Sequence, residues 1–326
     1  MAPVVGRFFG KKGIRLDPYG ANLAASVELP GQGHRVLHNH LQSIVRSMMS
    51  VGGILSDKEA VNFLLNKVGE PYITRYVNHV SRQRNARNSP YAIVPDIHAY
   101  NFPVGRQTVR DSGATSSAEA FFEVKTYTAC PTRYNHNNDM THPADRRGRE
   151  VLSEYRSAFK KLDCKFAPEV VGDEESPVVG PFSAAQAQFF QRQVIPLCAG
   201  PFGEIGEDFS KILKTLARQA AASNDGLVIS PLVNSDRKGG AFPIMQQQFR
   251  RAIGVAIVRG NALHKLARLH YVRATAREAA YAARANHSEN RWRPGDSGGP
   301  SWFRQHTAEG YGVFEQFRNG YDFSVH

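Results

Sequence analysis

At 326 residues the chain is long enough for one sizeable core with extensions or for two small domains, and 41% hydrophobic with 10% aromatic residues is the make-up of a folded protein rather than a disordered tail. Lys and Arg number 41 against 29 Asp and Glu, a formal charge of +12, which favours polyanionic partners, with nucleic acid the first expectation. Cys130, Cys164 and Cys198 are too widely spaced for a disulfide framework or a zinc site, and no run is long enough to span a membrane.

An intracellular setting is therefore expected, the nucleus in a eukaryote and otherwise the cytoplasm, with no membrane partner. Residues 1–35, punctuated by Gly and Pro, read as a loose basic N-terminal arm. The spacing of Leu37, Leu41, Ile44, Val45 and Met48 predicts a helix that Gly52 and Gly53 end. Ser56-Asp-Lys-Glu59 has the form of a capping box and predicts a second helix through Val68. Pro71 begins a third, with Ile73, Tyr76, Val77 and Val80 as its apolar stripe and a basic end at Arg82–Arg87.

Two strands are predicted next, Tyr91–Tyr100 and Ala120–Tyr127, both rich in aromatic and β-branched residues and bounded by turn-formers. A polar loop or hairpin insertion joins them. Pro95-Asp96 lies in the first strand and Glu123-Val124-Lys125 in the second. Alternation puts Glu123 and Lys125 on one face, with Phe122, Val124 and Thr126 on the other. Two carboxylates and an ammonium on one face of a strand pair can hold a divalent cation and activate a water beside it.

Asp96 with Glu123-x-Lys125 resembles the PD-(D/E)xK nuclease superfamily. That resemblance, carried by about a tenth of the chain, implies a restriction-endonuclease-like core. Asp96 and Glu123 would ligate Mg²⁺ or Mn²⁺, and Lys125 would position or polarise the attacking water. Many members take a further acidic ligand from the first helix, but the polar side here offers Asn39, Gln42 and Arg46. Glu70 is then the candidate third metal ligand, with Gln42 as a neutral substitute. A degenerate site is the alternative if neither reaches the metal.

Past the motif, Arg147–Leu162 predicts an amphipathic helix with Val151, Tyr155, Ala158, Phe159 and Leu162 buried. Arg149, Arg156 and Lys160 form a basic row on its polar side, the candidate nucleic-acid contact. Glu174–Ser183 reads as a surface loop, Gln186–Gln193 as a short helix and Val194–Ala199 as a buried strand whose Pro196 argues against a central place. Gly200-Pro-Phe-Gly-Glu204 turns into a helix carrying Phe209, Ile212, Leu213 and Leu216. This junction resembles, less specifically, one in nuclease-like proteins of eukaryotic mobile elements. Residues 226–286 are expected to form a basic helical extension and 287–326 a flexible tail.

Two further patterns compete. Gly295-Asp-Ser-Gly-Gly-Pro300 matches the nucleophile loop of trypsin-like serine proteases letter for letter, but the helical segments upstream cannot supply two β-barrels. His136 and His142 amid Asn135, Asn137, Asn138 and Asp139 suit a single-metal histidine nuclease, although polar loop composition is the simpler account.

The expectation is an α/β fold, a small mixed β-sheet flanked by helices around residues 36–225. Its expected function is Mg²⁺- or Mn²⁺-dependent cleavage of DNA, with a dimer among the possible assemblies. A non-catalytic nucleic-acid-binding or mobile-element accessory protein is the competing class.

Overall fold

The computed structural model describes residues 8–9, 14–15, 33–60, 63–82, 91–104, 117–127, 143–171, 178–230, 232 and 239–273. The expected His/Asn-rich loop and the Gly295–Pro300 motif lie outside them. Strands β1 (Phe8–Phe9) and β2 (Ile14–Arg15) form an antiparallel pair by themselves. One compact unit comprises residues 33–264, and another comprises 1–32 with 265–326.

Helix α1 (Gly33–Val51) buries Leu37, Leu41, Val45 and Met48 of the predicted apolar stripe, and Met49 besides, while Ile44 is only partly buried. It ends as expected. Gly53 takes φ of 71°, a conformation glycine adopts without steric cost, and the Ile54 amide returns to the Met49 carbonyl. The next segment departs from the prediction. Ser56–Lys58 is strand β3, antiparallel to Ile97–Ala99, rather than the start of a helix. Glu59 turns away with φ of 56°. Pairing with a neighbouring strand outweighs the local capping signature here, a choice that four residues cannot announce.

Helix α2 (Tyr72–Ser81) follows as predicted, with Ile73 and Tyr76 buried. Strand β4 (Ile97–Pro103) starts later than the apolar run suggested and pairs antiparallel with β5 (Ser117–Thr126). Helix α3 (Pro143–Phe166) is longer than its predicted form. After α4 (Pro168–Val171), residues read as surface loop and short helix resolve into α5 (Pro181–Gln186) and a 3₁₀ turn at Phe190–Arg192. Asp163 holds α5: its carboxylate accepts the Phe182 amide at 2.7 Å and the Ser183 amide at 3.1 Å.

Strand β6 (Ile195–Ala199) pairs in parallel with β5, completing a mixed sheet in the order β3-β4-β5-β6. The fold is mixed α/β. Because β6 is an edge, the missing N–H of Pro196 removes no ladder bond on the open side. Helices α6 (Glu207–Ala222), α7 (Asn224–Ile229) and α8 (Ala241–Arg273) follow.

Parity along β5 divides the core. Phe121 belongs to a cluster with Phe63, Tyr76, Tyr155, Phe159, Phe182 and Phe189 under α3, while Phe122 and Val124 point the other way. Phe121, Phe122 and Phe159 are all fully buried, each worth roughly 1.5–3 kcal/mol over exposure. Helices α1 and α6 pack on each other, α1 against β5 and α6 against β6. The unit extends past residue 225: Phe242, Met245, Phe249, Ile253 and Ile257 of α8 are buried as well.

Candidate active site

The β4–β5 register builds the site. Ile97 pairs with Phe122 and His98 with Phe121, so continuing the ladder by one residue sets Asp96 opposite Glu123. Asp96 precedes the strand, on a bend, and four donors fix it. Gln42 Nε2 donates to its backbone carbonyl at 2.6 Å, and the Glu59 amide donates to the same oxygen at 2.9 Å. Its side-chain Oδ2 accepts the Val124 amide at 2.8 Å and His38 Nε2 at 2.9 Å. Oδ1 has no hydrogen-bond partner among the described residues.

Glu123 is buried, and both of its oxygens are engaged. Lys125 Nζ pairs with Oε1, and the Tyr155 hydroxyl donates to Oε2 at 2.7 Å. The sequence thus supplies one partner two positions along the strand and the other from the buried face of α3.

The electrostatics follow from this crowding. Burial, then the charge of Asp96, raises the Glu123 carboxyl above its ordinary value, and the contacts with Lys125 and Tyr155 only partly offset that. Burial also pulls the Lys125 ammonium down, but the Glu123 ion pair and the Asp96 charge carry it above its usual value. His38 behaves likewise: burial lowers its affinity for a proton, and the hydrogen bond and charge of Asp96 more than restore it. Tyr155 is pushed well up by burial and by Glu123, so it remains a donor. Further along the same face, His98 stacks on Phe121 with the Tyr100 ring tilted against it, and burial lowers its pKa.

Asp96, Glu123 and Lys125, chosen from the sequence, therefore meet. Glu70 does not join them. It is exposed just before α2 and accepts the Thr74 hydroxyl at 2.8 Å, a contact one helical turn away that keeps it at the helix start. Gln42 reaches Asp96, but through the backbone carbonyl rather than as a substitute ligand. His38 and Tyr155 were not anticipated as site residues. The available signal for His38 was its place four residues before Gln42, on the same face of α1.

Arg149, Arg156 and Lys160 are exposed on α3, with no ion-pair partner among the described residues. Their spacing from Asp145 and Asp163 puts the row on the flank that those acids share. Asp145 Oδ1 accepts the Glu207 amide at 2.6 Å at the start of α6, and Asp163 caps α5. Arg147 lies on the other flank, paired with Glu150 at 2.8 Å and Glu154 at 2.9 Å, and its charge acts on Lys125. The basic row and Arg147 thus lie on different flanks of α3.

Among the described residues no group of three or more His, Cys, Asp and Glu side chains is placed to hold a metal ion. The donors suit a cation held in another manner. Among the described residues one Asp96 oxygen has no hydrogen-bond partner, and the Asp96 charge adds to burial in raising the proton affinity of Glu123. Mg²⁺ is commonly held by one or two carboxylates, with waters and substrate phosphates completing its shell. No helix among the described residues is long and apolar enough to cross a membrane. Comparison with models of known protein families, with curated proteins and with solved structures finds no match to the chain.

Proposed function

We propose that the chain is a divalent-cation-dependent endonuclease hydrolysing phosphodiester bonds of DNA, built on a restriction-endonuclease-like core. The observation that carries this reading is the convergence of Asp96, just before β4, with Glu123 opposite it in β5, Lys125 lying against Glu123 and burial together with the Asp96 charge raising the Glu123 carboxyl. Asp96 and Glu123 would hold Mg²⁺ or Mn²⁺. When bound, the cation supplies a Lewis acid that offsets phosphate charge and makes water a better nucleophile. Lys125 stays protonated, orients the attacking water and opposes the negative charge that develops on the phosphate. Tyr155 keeps Glu123 turned towards Lys125. Arg149, Arg156 and Lys160 contact phosphates along the outer flank of α3.

One observation favours a second reading, a non-catalytic nucleic-acid-binding or mobile-element accessory protein. Both Glu123 oxygens already carry a donor. A carboxylate has about four acceptor positions, so these contacts leave capacity for a cation.

Nicking of supercoiled plasmid DNA, with Mg²⁺, Mn²⁺ or EDTA, separates the two. The expected result is metal-dependent nicking that Glu123→Ala abolishes while the variant's DNA binding in EDTA stays within about threefold of wild type. Equal nicking by the variant sinks the site assignment. Salt-sensitive DNA binding by a folded wild type that never nicks favours the accessory reading.

A further inference from the structure

Asp96 needs more help than Glu123 to be a defined ligand. Glu123 is inside a strand, where neighbours and alternation fix its direction. Asp96 stands on a bend before β4, and nothing in a ladder restrains its carboxylate. The structure restrains it through one atom. Val124 N–H and His38 Nε2 both meet Oδ2, at 2.8 and 2.9 Å. An ionised carboxylate can only accept, so the His38 nitrogen facing it carries a proton. The other ring nitrogen faces Asn39 Oδ1 at 3.3 Å.

His38 is itself held. Its neighbours Leu37 and Leu41 are buried, and α1 lies so close to α8 that a Cβ on Gly260 would stand 2.6 Å from Leu37 Cδ1. One turn along the same face, Gln42 holds the Asp96 backbone. Two side chains of one helix thus grip one residue at two points, from across the chain.

We propose that His38 is a positioning residue for cation binding: by engaging Oδ2 together with the Val124 amide, it turns Oδ1 of Asp96 outward as the ligand oxygen beside Glu123. This rests on the cation-dependent reading above. Without the imidazole, the Val124 amide alone leaves the carboxylate free to swing, and the two oxygens compete for the ligand position. The loss falls on cation affinity, because outer hydrogen bonds of this kind typically tune metal affinity about 10–100-fold. Gln places an amide N–H about as far from the backbone as His Nε2 does. Asn, one carbon shorter, keeps the polarity but not the reach.

The test is Mn²⁺ binding to the full chain without DNA, read from the loss of the free-ion electron paramagnetic resonance signal. Wild type, Asp96→Asn, His38→Gln, His38→Asn and His38→Ala would be compared, each checked for a native circular dichroism spectrum. Wild type should bind, and Asp96→Asn should lose binding. His38→Ala and His38→Asn should weaken it about tenfold or more. His38→Gln should stay within about threefold of wild type. If the shortened variants bind as wild type does while Asp96→Asn does not, the cation reading stands and the positioning role is overturned. If a folded His38→Gln is as weak as His38→Asn, the reaching donor is not what matters and the proposal also fails. If wild type itself binds no Mn²⁺, or Asp96→Asn binds equally, the cation reading has failed. Should His38→Ala not fold, His38→Asn against His38→Gln decides alone.

Discussion

Tyr155→Phe isolates a single contact. It removes one oxygen and leaves the ring, so no sizeable cavity opens in the core beneath α3. The bond removed is the 2.7 Å donation to Glu123 Oε2, between residues that are 9% and 7% exposed. Water cannot readily replace the hydroxyl there, and a hydrogen bond to a charged group contributes about 1.5–3 kcal/mol. For a unit of this size each kcal/mol moves the melting temperature by about 2–4 °C, so a fall of about 3–12 °C is expected near neutral pH. The size of the fall depends on pH. Glu123 titrates above its ordinary 4.5 in the folded state, and removing a donor that favours its ionised form raises it further. As pH falls through these folded values, Glu123 takes a proton in both proteins, and the unpaired charge disappears from the variant. The penalty then contracts towards that of a neutral hydrogen bond, about 1 kcal/mol. Urea unfolding of both proteins, near neutrality and again in acid, measures the contraction. A penalty under about 0.5 kcal/mol near neutrality, or one equal at both pH values, refutes the view that Tyr155 supports an ionised Glu123.

Replacing Arg149, Arg156 and Lys160 together by Ala should weaken DNA binding and reduce the slope of log affinity against log salt by about 2–3, near 0.9 for each phosphate that is no longer neutralised. Mn²⁺ binding should not change, and a salt slope equal to wild type would remove the row from the interface. Gly200→Ala tests the β6–α6 junction, where an added Cβ would stand 1.8 Å from Glu204 Oε1 and 2.6 Å from the Tyr127 hydroxyl. Moving Glu204 aside breaks its hydrogen bonds with Tyr127 at 3.1 Å and the Phe202 amide at 2.9 Å, about 1–3 kcal/mol in all. In a Glu204→Ala background the same change should cost much less, and an equal cost in both backgrounds counts against the clash.

Glu123 and Lys125 were open to reading because their relation is local: two residues apart on a strand puts them on one face. Edge placement of β6 was legible for a similar reason, since Pro196 lacks the N–H that a second neighbour would require. Asp96 could be chosen, but its place opposite Glu123 depends on a register set by Ile97 and Phe122 across a long interval of chain. Strand β3 was misread because Ser-x-x-Glu has the same letters in a strand and at a helix cap, and only β4 decides between them. His38 escaped because the feature expected of the first helix is a carboxylate that could bind a metal, whereas its contribution is a donor. Tyr155 was correctly placed on a buried face, yet burial does not say that its hydroxyl ends on Glu123. The basic row was visible, but its flank became clear only through what Asp145 and Asp163 cap.

The cost of the Asp96–Glu123 arrangement argues about its purpose. An ion pair kept for stability needs one carboxylate and one cation, and Lys125 with Glu123 already supplies both. Asp96 beside them raises the Glu123 carboxyl further, on top of the burial that already disfavours its charge. The fold then commits two side chains of α1 and the Val124 amide to holding Asp96 in that unfavourable place. Stability alone would be served better by an Asn at the same bend, which could still accept from Val124 and His38 and would bring no second charge. A second negative charge is useful where a positive charge arrives from outside, and a divalent cation between the two carboxylates relieves their repulsion. Local arrangements that oppose stability yet are firmly supported are where function is to be sought. Asp96→Asn should accordingly stabilise the empty protein, or leave it unchanged, while abolishing Mn²⁺ binding. A variant that loses stability as well as binding would make Asp96 a structural residue first.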